Sequence, residues 1–391
     1  MDTLKIVMTS TFFPPYHLGG DAIHVKLLKE ELEARGHEVH VVHNLDAYRL
    51  KGGKKEATRQ ENVHPLRSTF GPTSARATYL TGRNRGAERL LEKVIEDVRP
   101  DLIHHHNISL LGQGILDVGD SPKIYTAHDY WSICPRSDLM RAGRELCTET
   151  RCTSCCLRTG RPPQFWRGEG ILRRFRTMKY IIAPSTFMSK QLQRFLGLNS
   201  IVLPNFTKQL ESSMGPTTGH FVYAGVLEPG KGVDALLDAF ATRDTKLELH
   251  VYGSGSLERR AREVEIATNG RVKYLGFQTG KPLWDDIASA TAMIMPSRVN
   301  DNCPLSCVEA LSLGVPLIVS DRGGLPELVR DPDCGLVVEP EAPIIAIAAT
   351  TLTSDTKMRE ILASNARKRF ESRHTASAYL RDYLDLVSRV R

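Results

Sequence analysis

The order of elements along the chain predicts an α/β protein made of two doubly wound, Rossmann-like domains facing a central cleft. Three observations carry this reading. Short apolar runs alternate with amphipathic stretches through both halves, the signature of strands connected by helices. The clearest instance lies at 292–321: the strand AMIMPS (292–297), a helix opened by Pro304 and closed near Gly314, and the strand PLIVSD (316–321). Strand, helix, strand is a parallel crossover unit, and ligands sit outside the carboxyl ends of such strands. Finally, 391 residues exceed one ordinary core, and the polar stretch TKQLESSMGPTTG (207–219) separates the halves. The expected division is 1–206, then 207–373, with a terminal helix in 374–391.

Composition narrows the class. Hydrophobic content of 41% and charged content of 25% are those of an ordinary globular protein. The formal net charge of +7 favours acidic partners without choosing among them. There is no run of about 18 apolar residues, so no transmembrane helix is expected. MDTLKIVMTSTFF carries an acid and runs straight into a strand, with no basic leader segment. The expected location is cytoplasmic, with the inner face of a membrane as a variant of it.

In chain order, LKIVMTSTF (4–12) is a buried strand ended by Pro14-Pro15. Gly19 and Gly20 follow, then a helix with Ile23, Leu27, Leu28 and Leu32 at helical spacing, Asp21 as its N-cap and Gly36 as its stop. EVHVVHN (38–44) is the next strand. Residues 45–86 read as polar, basic loops with one short strand near 62–67, and 86–98 as a helix. In the strand LIHHHN (102–107), His104, His105 and His106 must alternate between faces, so a zinc site using all three is not expected. One or two of them line the strand's carboxyl end. KIYTAHDYW (123–131) is a further strand, with His128 at that same end.

Residues 131–165 show no strong period and hold five of the eight cysteines: Cys134, Cys147, Cys152, Cys155 and Cys156. A segment this long is expected to be functional or held by a constraint. Cys152-x2-Cys155 with Cys134 and Cys147 supplies four thiolates, enough for a structural zinc. Two paired C-x2-C units are absent, and free thiols, or a disulfide in an oxidising setting, are the alternatives. Helix 168–178 carries an apolar stripe (Ile171, Leu172, Phe175, Met178) and a basic face. It suits an anionic membrane surface or the core, and core packing is preferred. YIIAPS (180–185), a helix ended by Gly197, and IVLPN (201–205) complete the first half.

The second half opens with a strand at 221–226 running to Gly225, then a loop with Lys231 and Gly232 before a helix. A lysine on such a loop serves as a point charge for phosphate, although the P-loop spacing is missing. KLELHVYGSGS (246–256) ends in Gly253-x-Gly255, VKYLGF (272–277) is a short strand, and a helix spans 281–289. Asp301 lies in the loop after the strand 292–297, and Glu309 in the following helix, eight residues on. The helix start places free backbone N–H groups near Pro304–Cys307, around Leu305 and Ser306, where they suit a phosphate. Asp331-Pro332-Asp333 reads as turn chemistry, DCGLVVEP (333–340) holds the last strand, and three helices close the chain at about 341–353, 356–372 and 375–390.

The stretch 301–320, DNCPLSCVEALSLGVPLIVS, resembles the donor-sugar signature of retaining glycosyltransferases of family 4 (group 1 glycosyl transferases), which have the GT-B fold. There two acids are separated by seven intervening residues, followed by Ala, a small residue, Gly, Pro and an apolar strand. Asp301 stands where the family carries Glu. The motif GG-x3-HV at 19–25 with RGHEV at 35–39, TAHDYW at 126–131 and Lys231-Gly232 match as well, so the resemblance covers nearly the whole chain. It implies that Glu309 grips the nucleotide ribose and Asp301 the transferred sugar, both without a metal. It places Gly19, Gly20, Gly225, Lys231, Gly253, Pro304, Leu305 and Ser306 around the donor, and His128 beside the transferred sugar. His104, His106 and Asn107 fall on the acceptor side, and the terminal helix crosses back to the first domain. Val226 replaces a family arginine; Arg298 and Arg322 are candidate substitutes for it.

The expected activity is transfer of a sugar from a nucleotide-diphosphate sugar to a hydroxyl, with no cofactor required. The acceptor is a small molecule, a glycan or a lipid-linked saccharide, with peripheral membrane contact as a possible accompaniment and no nucleic acid. One rival is a GT-B nucleotide-sugar epimerase. The other is a non-enzymatic basic module that binds polyanions through the cysteine-rich segment.

Overall fold

A computed structural model describes residues 3–390, except 18, 57, 143–144, 213–218 and 243–245. Part of the stretch expected to be the linker thus lies outside the described residues. The chain forms two compact units, Met1–Leu203 with Leu380–Arg391, and Pro204–Tyr379.

The strands of the first unit are β1 (Lys5–Ser10), β2 (Glu38–Asn44), β3 (Val63–Leu66), β4 (Leu102–His105), β5 (Lys123–Thr126), β6 (Met140–Arg141), β7 (Glu145–Leu146), β8 (Tyr180–Ala183) and β9 (Ile201–Val202). Seven form a parallel sheet in the order β3-β2-β1-β4-β5-β8-β9, while β6 and β7 pair antiparallel. Every β1 residue after Lys5 is buried, as an apolar run without alternation requires when helices cover both faces. The sheet reverses its order between β1 and β4, so the loops leaving Ser10 and His105 flank one crevice.

Helices α1 (Gly20–Glu33), α2 (Leu45–Leu50), α3 (Pro72–Thr81), α4 (Arg85–Val98), α5 (Cys152–Arg158), α6 (Glu169–Arg176) and α7 (Thr186–Leu196) pack on this sheet or border it. α1 buries Val25, Leu28 and Leu32 on one stripe. Asp21 is not its N-cap: Gly19 holds that position, and the Asp21 carboxylate is taken by its own first turn and by Asn107 Nδ2 at 2.8 Å. Residues 45–86 are not all loop. Asn44 caps α2 by accepting from the Ala47 amide, and Pro72 opens α3. α2 has too few residues to show a repeat, and α3 buries Ala75 and Thr78, which make no apolar stripe. The apolar stripe of α6 lies in the core, with Ile171 4% and Phe175 1% exposed.

The second unit repeats the design. β10 (His220–Ala224), β11 (Glu248–Tyr252), β12 (Val272–Gly276), β13 (Ala292–Met295), β14 (Leu317–Ser320) and β15 (Gly335–Val338) form a parallel sheet in the order β12-β11-β10-β13-β14-β15. Its helices are α8 (Val233–Ala241), α9 (Glu258–Ala267), α10 (Lys281–Ser289), α11 (Leu305–Ser312), α12 (Leu325–Val329), α13 (Ala342–Ser354) and α14 (Thr356–Arg373). The order reverses between β10 and β13. The last helix, α15 (Ala376–Ser388), ends in the residues that belong to the first unit. Each unit has its own core, around Tyr125, Trp131 and Phe175 in the first and Phe221, Phe240 and Phe370 in the second. Fully burying one such ring contributes about 1.5–3 kcal/mol.

Candidate functional site

In the second unit, the crevice between β10 and β13 gathers Lys231 and Asp301. Lys231 ends a short turn, Pro229–Lys231, and Gly232 (φ 69) lets the chain enter α8. A Cβ at Gly232 would lie 1.9 Å from the Pro296 carbonyl oxygen, so only glycine lets this loop approach the end of β13. The amides of Arg298 and Val299 donate to the Gly230 carbonyl at 2.9 and 3.1 Å and fasten the two loops together. Asp301 is held through its main chain: its amide donates to Val299 O at 2.9 Å, and its carbonyl accepts from Gly324 N at 2.6 Å. Its Oδ1 forms an ion pair with Lys231 Nζ. Its Oδ2 is buried without a hydrogen-bond partner among the described residues. A buried carboxylate oxygen left without a donor is costly, and a ligand hydroxyl would satisfy it.

Helix α11 begins four residues after Asp301. Pro304 is its N-cap, and the Cys307 and Val308 amides turn back to the Pro304 carbonyl at 3.1 and 3.2 Å. The amides of Leu305 and Ser306 make no such bond among the described residues, which leaves them for an anion. One turn on, Glu309 is enclosed. Burial pushes its carboxyl up to about 7, against the hydrogen bond from the Trp284 side chain. Trp284 was not singled out by the sequence; it comes from α10, and nothing local links it to Glu309.

The glycines at the strand ends have an internal reason. A Cβ at Gly253 (φ 132) would meet the Gly225 carbonyl at 1.8 Å, and one at Gly225 would meet Tyr223 Oη at 2.9 Å. Tyr223 is fully buried and donates to the Val226 carbonyl at 2.8 Å, setting the path of this loop. Close backbone packing explains these positions without a ligand. Val226 is 43% exposed and supplies no charge. Of its candidate substitutes, Arg298 is spent on a two-pronged pair with Asp234 at 2.7 and 2.8 Å, and Arg322 on its neighbour Asp321 at 3.1 Å.

In the first unit, the β1–β4 crevice holds histidines. His104 lies between the Tyr383 hydroxyl (3.1 Å) and Thr126 Oγ1 (2.8 Å). His105 points to the opposite face and meets Thr9 Oγ1 at 2.9 Å. His106 Nδ1 lies 3.0 Å from His128 Nε2, and the His24 ring packs edge-on to His128 with centroids 4.9 Å apart. Burial holds His24, His104 and His106 well below the ordinary imidazole value and brings His128 down to about 4, so these rings are neutral at pH 7. Asn107 and Asp21 close the group through their 2.8 Å bond. Sequence reasoning did not place His24 among the site residues, although it is the histidine of the GG-x3-HV motif at 19–25.

Two sets of three residues among those described bring one ligand atom each within 4.8 Å of one another: His24, His106 and His128, and His220, His250 and Asp286. Of the consecutive run His106 joins the first set; alternation turns His105 to the other face, and His104, on the same face, is held between Tyr383 and Thr126. In the second, Asp286 accepts from the Tyr252 hydroxyl and lies 2.8 Å from His250 Nδ1, a hydrogen-bonded network complete in itself. The five cysteines of 131–165 are free thiols that line one pocket.

With this geometry in hand, comparison with known proteins is informative. The profile of Glycosyltransferase Family 4 matches residues 18–207, and that of Glycosyl transferases group 1 matches 211–369. An uncharacterized glycosyltransferase of Methanocaldococcus jannaschii is 25% identical over 389 residues, 93% of each chain. A D-inositol 3-phosphate glycosyltransferase of Salinispora arenicola is 32% identical over 193 residues, 44% of this chain and 43% of that one. Among solved structures, a sucrose-phosphate synthase from Thermosynechococcus elongatus superposes with a TM-score of 0.74 at 18% identity over 99% of both chains. Anabaena HepE, solved with UDP and glucose, does so with a TM-score of 0.67 at 17% identity, over 99% of this chain and all of that one. At these identities the likeness carries the fold, which is GT-B.

Proposed function

The chain belongs to family 4 of the group 1 glycosyl transferases, and from that premise we propose that it moves a hexose from a nucleotide-diphosphate sugar to a hydroxyl acceptor with retention at the anomeric carbon and without a metal ion. The observation that carries this reading is the Lys231–Asp301 pair, with one carboxylate oxygen held and the other buried and unpartnered. Lys231 and the Leu305 and Ser306 amides take the diphosphate, Asp301 takes a sugar hydroxyl, and Glu309 takes the ribose. The bond from anomeric carbon to phosphate oxygen breaks as the acceptor oxygen attacks the same face. The acceptor proton passes to the departing phosphate oxygen, and the products are a glycoside and a nucleoside diphosphate. Donors fixed in advance on the growing phosphate charge are the main source of rate in such a step. We assign the neutral histidines of the first unit to the acceptor side, with His128 nearest the transferred sugar. They orient hydroxyls without adding charge.

The protein is expected to be stabilised in a thermal-shift screen by one family among UDP, GDP, ADP and dTDP sugars. The product formed from that donor is then read by NMR for its anomeric configuration. An inverted product, or an isomerised donor with no second molecule glycosylated, sinks the proposal. Chelator is expected to leave transfer unchanged. Loss of activity that Mg²⁺ restores would show the metal-free route to be wrong.

Arg298→Ala is expected to change the apparent donor affinity by less than about twofold, because a half-exposed pair is worth at most about 1 kcal/mol and points to Asp234. A tenfold loss in a donor titration would mean that Arg298 leaves Asp234 and takes over the charge missing at Val226.

A further inference from the structure

The five cysteines of 131–165 take no part in the chemistry above, yet they are placed together. Cys134 follows the short helical turn Tyr130–Ser132, its amide donating to Tyr130 O at 2.7 Å. Cys147 leaves β7, its amide donating to Leu139 O at 2.8 Å. Cys152 and Cys155 lie one turn apart on α5 and so share a face. Cys156, the next residue, is 1% exposed and turned into the interior. Cys134, Cys147, Cys152 and Cys155 line one pocket, in which the Ala142 amide donates to Cys155 Sγ at 3.3 Å and Cys147 Sγ donates to the Glu149 carbonyl at 2.9 Å. The sulfurs are more widely spread than the two histidine sets, so a bound ion would draw them in.

A second observation comes from charge. The Arg167 guanidinium is clamped over the Trp131 and Trp166 rings at 4.8 and 4.9 Å, with Nη1 donating to Trp131 O at 2.6 Å. Its Nη2 is buried without a hydrogen-bond partner among the described residues, and the groups that most favour its charge are Cys134 and Cys152. Arg136, beside the same thiols, is already paired with Asp138 at 2.7 Å. A buried cation is costly without counter-charge. Asp129 supplies part of it; neutral thiols add none, whereas a divalent ion with four thiolates carries a net charge of −2.

We propose that Cys134, Cys147, Cys152 and Cys155, spaced C-x12-C-x4-C-x2-C, bind one zinc ion in a closed four-thiolate structural site with Arg167 as its counter-charge. The ion pins the segment that follows His128, where the strands β6 and β7 have two residues each and α5 is short. Four sulfurs close the tetrahedron and leave no position for substrate. The site is independent of the donor chemistry.

The test uses the full chain, purified under reducing conditions and reconstituted with Zn²⁺. Roughly one tightly held zinc per chain is expected by elemental analysis. Replacement by Co²⁺ should give the visible spectrum of tetrahedral thiolate coordination. Cys152→Ser and Cys155→Ser should each lose the ion, and Cys156→Ser should keep it. Should these variants fail to fold, the parent decides: fewer than about 0.1 zinc per chain after reconstitution overturns the proposal. Zinc kept by Cys152→Ser but lost by His106→Ala or His250→Ala overturns it as well, since the ion would then sit at a histidine set.

Discussion

Lys231→Ala is expected to lower turnover at saturating donor by about 10²–10³-fold, the loss typical of removing one preorganised donor from a developing negative charge. The ammonium is suited to that role because nothing else needs it. Its side chain is 30% exposed, it packs no core, and its partner is the Asp301 carboxylate. The substitution should therefore spare the fold, with circular dichroism and the unfolding temperature close to those of the parent. Asp301 keeps its main-chain anchors at Val299 and Gly324, so it is not released wholesale. Because charge on the leaving diphosphate grows toward the transition state, turnover should fall more than the donor KM rises. Lys231→Arg should recover part of the loss by keeping the charge. Turnover within twofold of the parent in Lys231→Ala would remove this residue from the mechanism.

The second large effect is at Glu309. On the proposed reading Glu309→Ala deletes the acceptor for two ribose hydroxyls, each hydrogen bond to a charged group being worth about 1.5–3 kcal/mol, so donor kcat/KM should fall by about 10²–10⁴-fold. Glu309→Gln separates charge from shape. Burial raises this carboxyl from 4.5 to about 7, so ionised enzyme accumulates only as the pH passes neutrality. Donor kcat/KM in the parent should rise through that range, and the rise should vanish in Glu309→Gln. Stability should move the opposite way. A raised carboxyl binds its proton more tightly in the folded state, so its stabilising contribution is complete below 4.5 and is lost as the pH climbs through 7. At pH 8 the glutamine variant should exceed the parent by on the order of 3 kcal/mol, and at pH 4 the two should coincide. Melting curves at the two pH values read this directly. An equal difference at both would mean that Glu309 does not titrate in this window.

Much of this site can be read along the chain, because the fold puts function at strand ends. Ser10, His105, Ala224 and Met295 each finish a strand, and Gly19, His106, Lys231 and Asp301 follow a few residues later. Apolar runs with a clear end locate such positions without knowledge of what lies opposite. The reading failed where an element was too short to show a repeat, as with α2 and α5, where it lacked an apolar stripe, as with α3, and where a polar group had more than one local use. Asp21 looked like a helix cap, and the structure gives it to Asn107, 86 residues away.

What the amino-acid order alone determined was the alternation of strand and helix, the two-unit plan, and the position of Lys231, Asp301, Glu309 and His128 in or just past the turns that leave strand ends. These are local properties, set by period, breakers and spacing. Tertiary structure decided the partners: Lys231 on Asp301, Trp284 on Glu309, His24 and His106 around His128, and Arg167 beside the thiols of Cys134 and Cys152. Burial and charge depend on which distant segments a parallel sheet brings side by side. That neighbourhood, and with it the ionisation of every group in the site, exists only once the sheet has formed.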